Sequence, residues 1–190
     1  RYGLRAVTGN IVLDDSLFSG AEYPAGWASD DSAYCYGMRV GALSIAENCI
    51  RVKVTGGSKA GVAAFVEVDP PLAPGLSSVS VTTAKKGGSV KIRQDASGFV
   101  KISGSVSPGG ALENEYPAPK PALLFGNALA GAMKRQKISF KGKLVHSRAG
   151  AAPAGFTKLA SVGSPYLNEI LAVMLKKSDN FIAETMLRAM

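Results

Sequence analysis

The sequence predicts an α+β fold, and three observations carry that expectation. Short segments in which apolar and polar residues alternate crowd the stretch from Asn48 to about Gly110, as strands with one buried face require. Beyond the Pro-rich link YPAPKP, residues 116–121, the apolar spacing becomes helical. The composition, 46% hydrophobic against 19% charged over 190 residues, is that of a chain able to bury a sizeable core.

Taken in order, VTGNIVLDDSLF (7–18) reads as a strand, followed by the Gly-, Pro- and Asp-rich loop GAEYPAGWASDDSAY (20–34), which holds the only tryptophan, Trp27. Five strand segments follow: CIRVKVT (49–55), GVAAFVEVD (61–69), SVSVTTA (78–84), GSVKIRQD (88–95) and GFVKISGSV (98–106). Alternation is clearest in Val52-Lys53-Val54 and Val90-Lys91-Ile92-Arg93, where apolar and cationic residues trade faces as in a half-buried antiparallel sheet. DPPLAPG and SPGG supply turns, so the stretch is a small β module.

ALLFGNALAGAMKRQK (122–137) has Pro121 ahead of it and cations at its end, both favoured at helix boundaries. A strand-like KISFKGKLV (137–145) leads into a polar loop with the only histidine, His146, a position expected to be solvent-exposed. In the last segment, Ser164 is the expected N-cap and Pro165 the first helical residue. Leu167, Ile170, Leu171, Met174 and Leu175 mark one apolar face and Ile182, Ala183, Met186, Leu187 and Met190 a second. Ser178-Asp179-Asn180 lies at the joint, where such residues end one helix and cap the next.

The net charge of +8 invites an anionic partner such as nucleic acid, a membrane surface or a wall polymer. Yet the cations are dispersed along the chain, KIR (91–93) and KKGG (85–88) read as solvated strand faces and turns, and no zinc-finger, RNP or basic-zipper pattern occurs. No apolar run approaches the ~20 residues of a membrane-spanning helix. The first residues lack an initiator Met and the last pattern lacks a stop signal, so the chain is expected to be an excised piece of a longer protein. Cys35 and Cys49 fit two states equally: buried free thiols, or a disulfide contributing about 3 kcal/mol. With one distant histidine they do not complete a zinc site, and neither metal nor cofactor is expected.

The stretch MLKKSDNFIAE (174–184) resembles the Ser-x-Asn motif region of the class C low-molecular-mass penicillin-binding proteins, serine D-alanyl-D-alanine carboxypeptidases and endopeptidases. VTGNIVLDDSLF, the Gly-Trp pair followed by Asp-Asp, GALSIAEN and KISFKGKL resemble the same family in the same order, so the likeness covers nearly the whole chain. It implies part of a serine β-lactamase-like or penicillin-binding-like catalytic domain with inserted β-rich domains. Residues 1–34 would end one insertion and form the Gly-Trp loop, 35–116 would be a β-rich insertion, and 117–190 would re-enter the catalytic domain.

What the resemblance implies about chemistry is specific. Ser178 would relay a proton to the leaving amine, and Asn180 would hold the substrate backbone and the nucleophile's lysine. Asp179 would cap a helix and Lys177 add positive potential, while Asp31 and Tyr36 would read a cationic stem-peptide side chain. Export would put Cys35 and Cys49 in a disulfide. Neither Ser-x-x-Lys nor Lys-Thr-Gly occurs in these residues, so the nucleophile is expected from the remainder of the parent chain and this chain alone is expected to be inactive. Peptidoglycan peptides and β-lactams are the implied partners, with peripheral membrane or cell-wall association and no specific nucleic acid. The rival expectation is a non-catalytic basic β-rich module binding cell wall or nucleic acid.

Overall fold

Apolar residues at alternate positions of the β-type stretch face one another across a single core. The computed structural model describes residues 3–150 and 155–190. Six strands build the module: β3 (Cys49–Thr55), β4 (Phe65–Asp69), β5 (Ser77–Thr83), β6 (Ser89–Gln94), β7 (Val100–Val106) and β8 (Ala111–Pro117); β1 (Ala6–Val7), β2 (Ile11–Asp14), β9 (Ser139–Phe140) and β10 (Leu144–Ser147) lie outside it. They form two sheets, ordered β4-β3-β8 and β5-β7-β6. Ile50, Val52 and Val54 of β3 meet Val81 of β5, Val90 and Ile92 of β6 and Val100, Ile102 and Val106 of β7 in one buried cluster. The cations between them point outward: Lys53 pairs with Glu113 on β8 at 3.4 Å and Arg51 with Glu115 at 3.0 Å.

Two features of the module depart from expectation. β5 and β7 pair in parallel, with Ser77 opposite Val100, whereas the other pairs of the module are antiparallel. The tight turn at Asp95–Gly98, in which the Asp95 carboxylate accepts from the Ser97 and Phe99 amides, folds β7 back on β6. The far edge of β7 then receives β5 running the same way. β8 had no counterpart among the expected strands, because ALENEYP is rich in poor strand formers. It is a strand because all seven residues pair with β3, and because the Asn114 side chain donates to Val90 O of the opposite sheet.

The N-terminal strand is interrupted at Thr8–Asn10, giving β1 (Ala6–Val7) and β2 (Ile11–Asp14). KISFKGKLV divides likewise into β9 (Ser139–Phe140) and the start of β10 (Leu144–Ser147). β1 pairs with β9 and β2 with β10, both in parallel, and helix α1 (Pro121–Arg135) lies across them. Leu13, Ala122 and Leu123 form the buried centre of this contact. Gly126 permits the close approach, since a Cβ there would stand 2.5 Å from Leu13 Cδ1. Asn127, fully buried on α1, accepts from Ala73 N at 2.7 Å and donates to Leu76 O at 2.8 Å, tying the helix to the β4–β5 connection.

His146 is exposed, as expected, but it belongs to strand β10 and not to a loop. Parallel register sets it opposite Leu13, and its Nε2 lies 2.8 Å from Oδ1 of Asp15, a carboxylate only 1% exposed. Helix α2 (Leu167–Lys177) begins later than Ser164 and Pro165 suggested. Its N-cap is Tyr166, whose amide donates to the Glu169 carboxylate at 3.0 Å, a reciprocal bond that Ser164 is too far upstream to make. Helix α3 (Asn180–Ala189) follows almost at once. Neither helix has a fully buried residue, and Leu167, Leu175 and Leu187 are exposed. No described helix is long and apolar enough to cross a membrane.

Replacing Asn127 by Leu keeps the volume but strands the Ala73 amide and the Leu76 carbonyl in the interior. Urea unfolding should show a loss of roughly 2–4 kcal/mol, the cost of two buried unpaired backbone groups, against a few tenths for a Leu129→Gln control on the half-exposed face of α1.

Candidate active-site cleft

The joint between α2 and α3 is built by its polar triplet with a separate task for each residue. Ser178 ends α2 in left-handed backbone (φ 52°), and Asp179 N donates to Met174 O at 3.0 Å to close the last turn. Asp179 caps α3, its carboxylate accepting from Ile182 N at 2.9 Å. That frees the side chains on either side. Asn180, the first residue of α3, sends its Nδ2 to the carbonyl oxygen of Tyr36 at 3.3 Å.

Tyr36 comes from the Gly-Trp loop region, where Ser29–Ala33 and Cys35–Gly37 form single helical turns. Its hydroxyl donates to Asp31 Oδ1 at 3.2 Å, and its ring stacks on Tyr34 with centroids 5.3 Å apart. Desolvation first, and then the Asp31 carboxylate beside it, hold the Tyr36 phenol above its ordinary pKa. Gly37 lets the two turns touch, because a Cβ there would fall 2.2 Å from Asp31 O. Cys35 and Cys49 form a disulfide with Cα atoms 5.6 Å apart, fastening this loop to the start of β3.

The residues just before Cys49 are unusual. Ala46, Glu47 and Asn48 all have φ near +50°, a left-handed turn made without glycine. Asn48 makes it possible: fully buried, it donates to Arg39 O and Ser44 Oγ, accepts from Ile45 N, and its own carbonyl receives Ala118 N. The turn aims Glu47 at Arg51, which it meets at 2.8 Å. Burial alone would lower the Arg51 guanidinium, but its bonds to Glu47 and then Glu115 leave it above its ordinary value.

These elements enclose an open cleft of about 820 Å³. Ser178, Asn180 and Lys177 line one side, Tyr34, Tyr36 and the disulfide loop a second, and Glu47, Arg51, Asn114 and Glu115 of the β module the third. Ser178, Asn180, Tyr36 and Cys35, singled out from sequence, therefore share one cavity. Asp31 is not among the lining residues and reaches it only through the Tyr36 hydroxyl. The β-module wall was not anticipated; its one sequence signal, the outward alternation of Arg51, needs the β8 register to become a site. Away from the cleft, Asp15, Glu22 and His146 offer ligand atoms within 4.8 Å of one another, but Arg148 Nε already stands 3.6 Å from the Asp15 carboxylate.

Comparison with known proteins shows the family and the fold. The model of the D-Ala-D-Ala carboxypeptidase 3 (S13) family matches residues 1–190. The chain belongs to that family. The D-alanyl-D-alanine carboxypeptidase DacB of Haemophilus influenzae is 26% identical over 196 residues, covering all of this chain and 40% of DacB. A D-alanyl-D-alanine carboxypeptidase of Actinomadura sp. (strain R39) is also 26% identical, over 98% of this chain and 36% of the relative. The crystal structure of penicillin binding protein 4 (dacB) from H. influenzae superposes with a TM-score of 0.66 at 21% identity, covering 98% of this chain and 42% of that one, and so shares its fold. A second structure of that protein, complexed with a β-lactam, gives 0.53. The chain thus spans about 40% of the length of these relatives.

The division of labour in the triplet has opposite consequences for stability. Asp179→Ala should lower it by about 1 kcal/mol through the lost cap. Ser178→Gly should leave it unchanged or raise it by up to ~1 kcal/mol, since glycine tolerates the left-handed backbone. Thermal melts of the two variants against the parent chain measure both.

Proposed function

We propose that this chain is part of an exported serine D-Ala-D-Ala carboxypeptidase or endopeptidase that cleaves peptidoglycan stem peptides or cross-links through an acyl-serine and is acylated by β-lactams. The observation that carries the proposal is the Ser178–Asn180 pair standing in one cleft with Tyr36, in a chain of the S13 family. Both relatives described above are D-alanyl-D-alanine carboxypeptidases by name, which supports the carboxypeptidase reading.

In this mechanism α2 and α3 belong to the catalytic domain, and the remainder of the parent chain supplies the nucleophilic serine and its lysine. That serine attacks the carbonyl of the penultimate D-alanine, the peptide bond breaks, and the leaving amine takes a proton through the Ser178 hydroxyl. Ser178 is suited to the relay because Asp179 has relieved it of capping. Asn180 spends one N–H on Tyr36 O, which fixes the amide plane and leaves its second N–H and its oxygen for the substrate backbone and the lysine. Water then hydrolyses the acyl-enzyme, whereas a β-lactam keeps it blocked. Tyr36 and Asp31 help read the stem-peptide side chain, the phenol held by the carboxylate.

Ser178→Ala and Asn180→Ala in the parent protein separate relay and positioning from capping. Both variants should fold, and both should be acylated by fluorescent penicillin and release D-alanine roughly 10²–10⁴-fold more slowly. Near-parental acylation of the variants would show that the triplet is only a helix cap, whereas a parent protein that ignores β-lactams and binds in a salt-sensitive way would be better described as a basic β-rich binding module.

A further inference from the structure

The two sheets of the β module treat their outward cations in opposite ways. On β4-β3-β8 each cation of β3 stands in register between two carboxylates, Arg51 between Asp69 and Glu115 and Lys53 between Glu67 and Glu113. On β5-β7-β6 the matching positions hold no acid. Arg93 of β6 lies directly opposite Lys101 of β7, which has Ser78 of β5 on its other side; the next row is Lys91, Ser103 and Ser80, and the row after it carries hydroxyls alone. Lys91, Arg93 and Lys101 are exposed, and none of them meets a carboxylate among the described residues. The neighbouring acid, Asp95, has its Oδ1 turned to the Ser97 and Phe99 amides. Like charges facing each other about 5 Å apart across a strand pair destabilise a sheet, so folding gives no reason to keep Arg93 opposite Lys101. Protection of a sheet edge accounts for cations on the outer strand β6 but not for Lys101, because β7 is the central strand.

We propose that the outward face of β5-β7-β6 docks an acidic polysaccharide, with carboxylates seated on Arg93, Lys101 and Lys91 and sugar hydroxyls on the serines between them. Charge complementarity sets the sign of the partner. Arg93 sends Nη1 to Ile92 O at 2.9 Å, which leaves the rest of its planar fork for an anion. Lys85 and Lys86, exposed in the β5–β6 turn, extend the cationic stripe past the hydroxyl row. The hydroxyls set the class, since each can both donate and accept, as a sugar hydroxyl does. No outward residue of the three strands is aromatic, so nucleic-acid bases have nothing to stack on, and none is apolar, so no side chain enters a bilayer. None of the three cations lines the cleft beside Ser178, so the docking face is independent of the chemistry proposed above.

The test measures binding of the parent protein to polygalacturonate, a linear polyuronate, with the uncharged polysaccharide dextran as control. Polygalacturonate should bind, less tightly as ionic strength rises, and dextran should not. Lys101→Ser and Arg93→Ser should each weaken binding about three- to tenfold, with the melting temperature unchanged or raised because the opposed charges are gone, and with acylation by penicillin unaffected. Ser103→Ala removes no charge and should still weaken binding about two- to fivefold. Lys53→Ser, on the sheet whose cations are matched by acids, changes the net charge by the same amount and should leave the affinity as it was. An equal loss from Lys53→Ser would overturn the proposal in favour of general attraction by net charge. Absence of binding, or affinity indifferent to Lys101→Ser or to Ser103→Ala, would overturn it as well. Tighter binding to poly-dT or to phosphatidylglycerol vesicles, lost on the same substitutions, would overturn the choice of occupant.

Discussion

The geometry of the cleft depends on one junction, the buried Asn48 and the Cys49 that follows it. Asn48 spends its side chain on three partners in the 39–45 segment, while its carbonyl takes the amide of Ala118, so both flanks of the β module are sewn together at one residue. Cys49 then begins β3 and reaches across to Cys35. The consequence runs outward: Tyr36 is fixed because Cys35 is, and Asn180 is oriented because its amide bonds the Tyr36 carbonyl. A left-handed turn of three non-glycine residues costs of order 1–2 kcal/mol per residue, so it persists here only because the Asn48 bonds and the disulfide over-determine it.

The two sides of the cleft are held by forces of different kinds. On the helical side, backbone capping sets the positions, and capping bonds are short-ranged and little affected by salt. On the β side the positions come from ion pairs across β3 and β8, which at this exposure contribute little to stability. Their effect lies in direction: two carboxylates on one guanidinium leave Arg51 few orientations, and each carboxylate is immobilised in return. A wall that stabilises the fold weakly but fixes its charges is a wall that can be changed in evolution without unfolding the protein.

The parts of this arrangement legible in the sequence were those written in local pattern. β3 matches the segment read from its alternation residue for residue, and α1 starts at the proline and ends among the cations that mark it. The triplet was legible as a helix joint, and Asp179 is the cap. What escaped was set by partners distant in sequence. ALENEYP is a strand only because β3 offers it a full edge, and the ladder to Arg51 places Glu115 on the cleft. His146 is exposed as its sequence suggested, but its strand pairing opposite Leu13, 133 positions away, and its contact with the buried Asp15 carboxylate come from a register that no local rule contains. Parallel pairing of β5 with β7 likewise follows from where the β6–β7 turn sends the chain.

The two terminal helices touch the rest of the described chain through few contacts: Phe181 against the small cluster of Phe18, Met38 and Val40, the Asn180 amide on Tyr36, and the Arg188 guanidinium on the carbonyls of Ala21 and Glu22. With no fully buried residue in either helix, the free energy needed to lift the pair away is a small part of what would be needed to open the sheets. Amide hydrogens along residues 167–189 would therefore exchange with solvent orders of magnitude sooner than those of β3 and β7. The side of the cleft that carries Ser178 and Asn180 is in this sense a hinged leaf on a rigid frame, kept in place in the isolated chain by three small attachments.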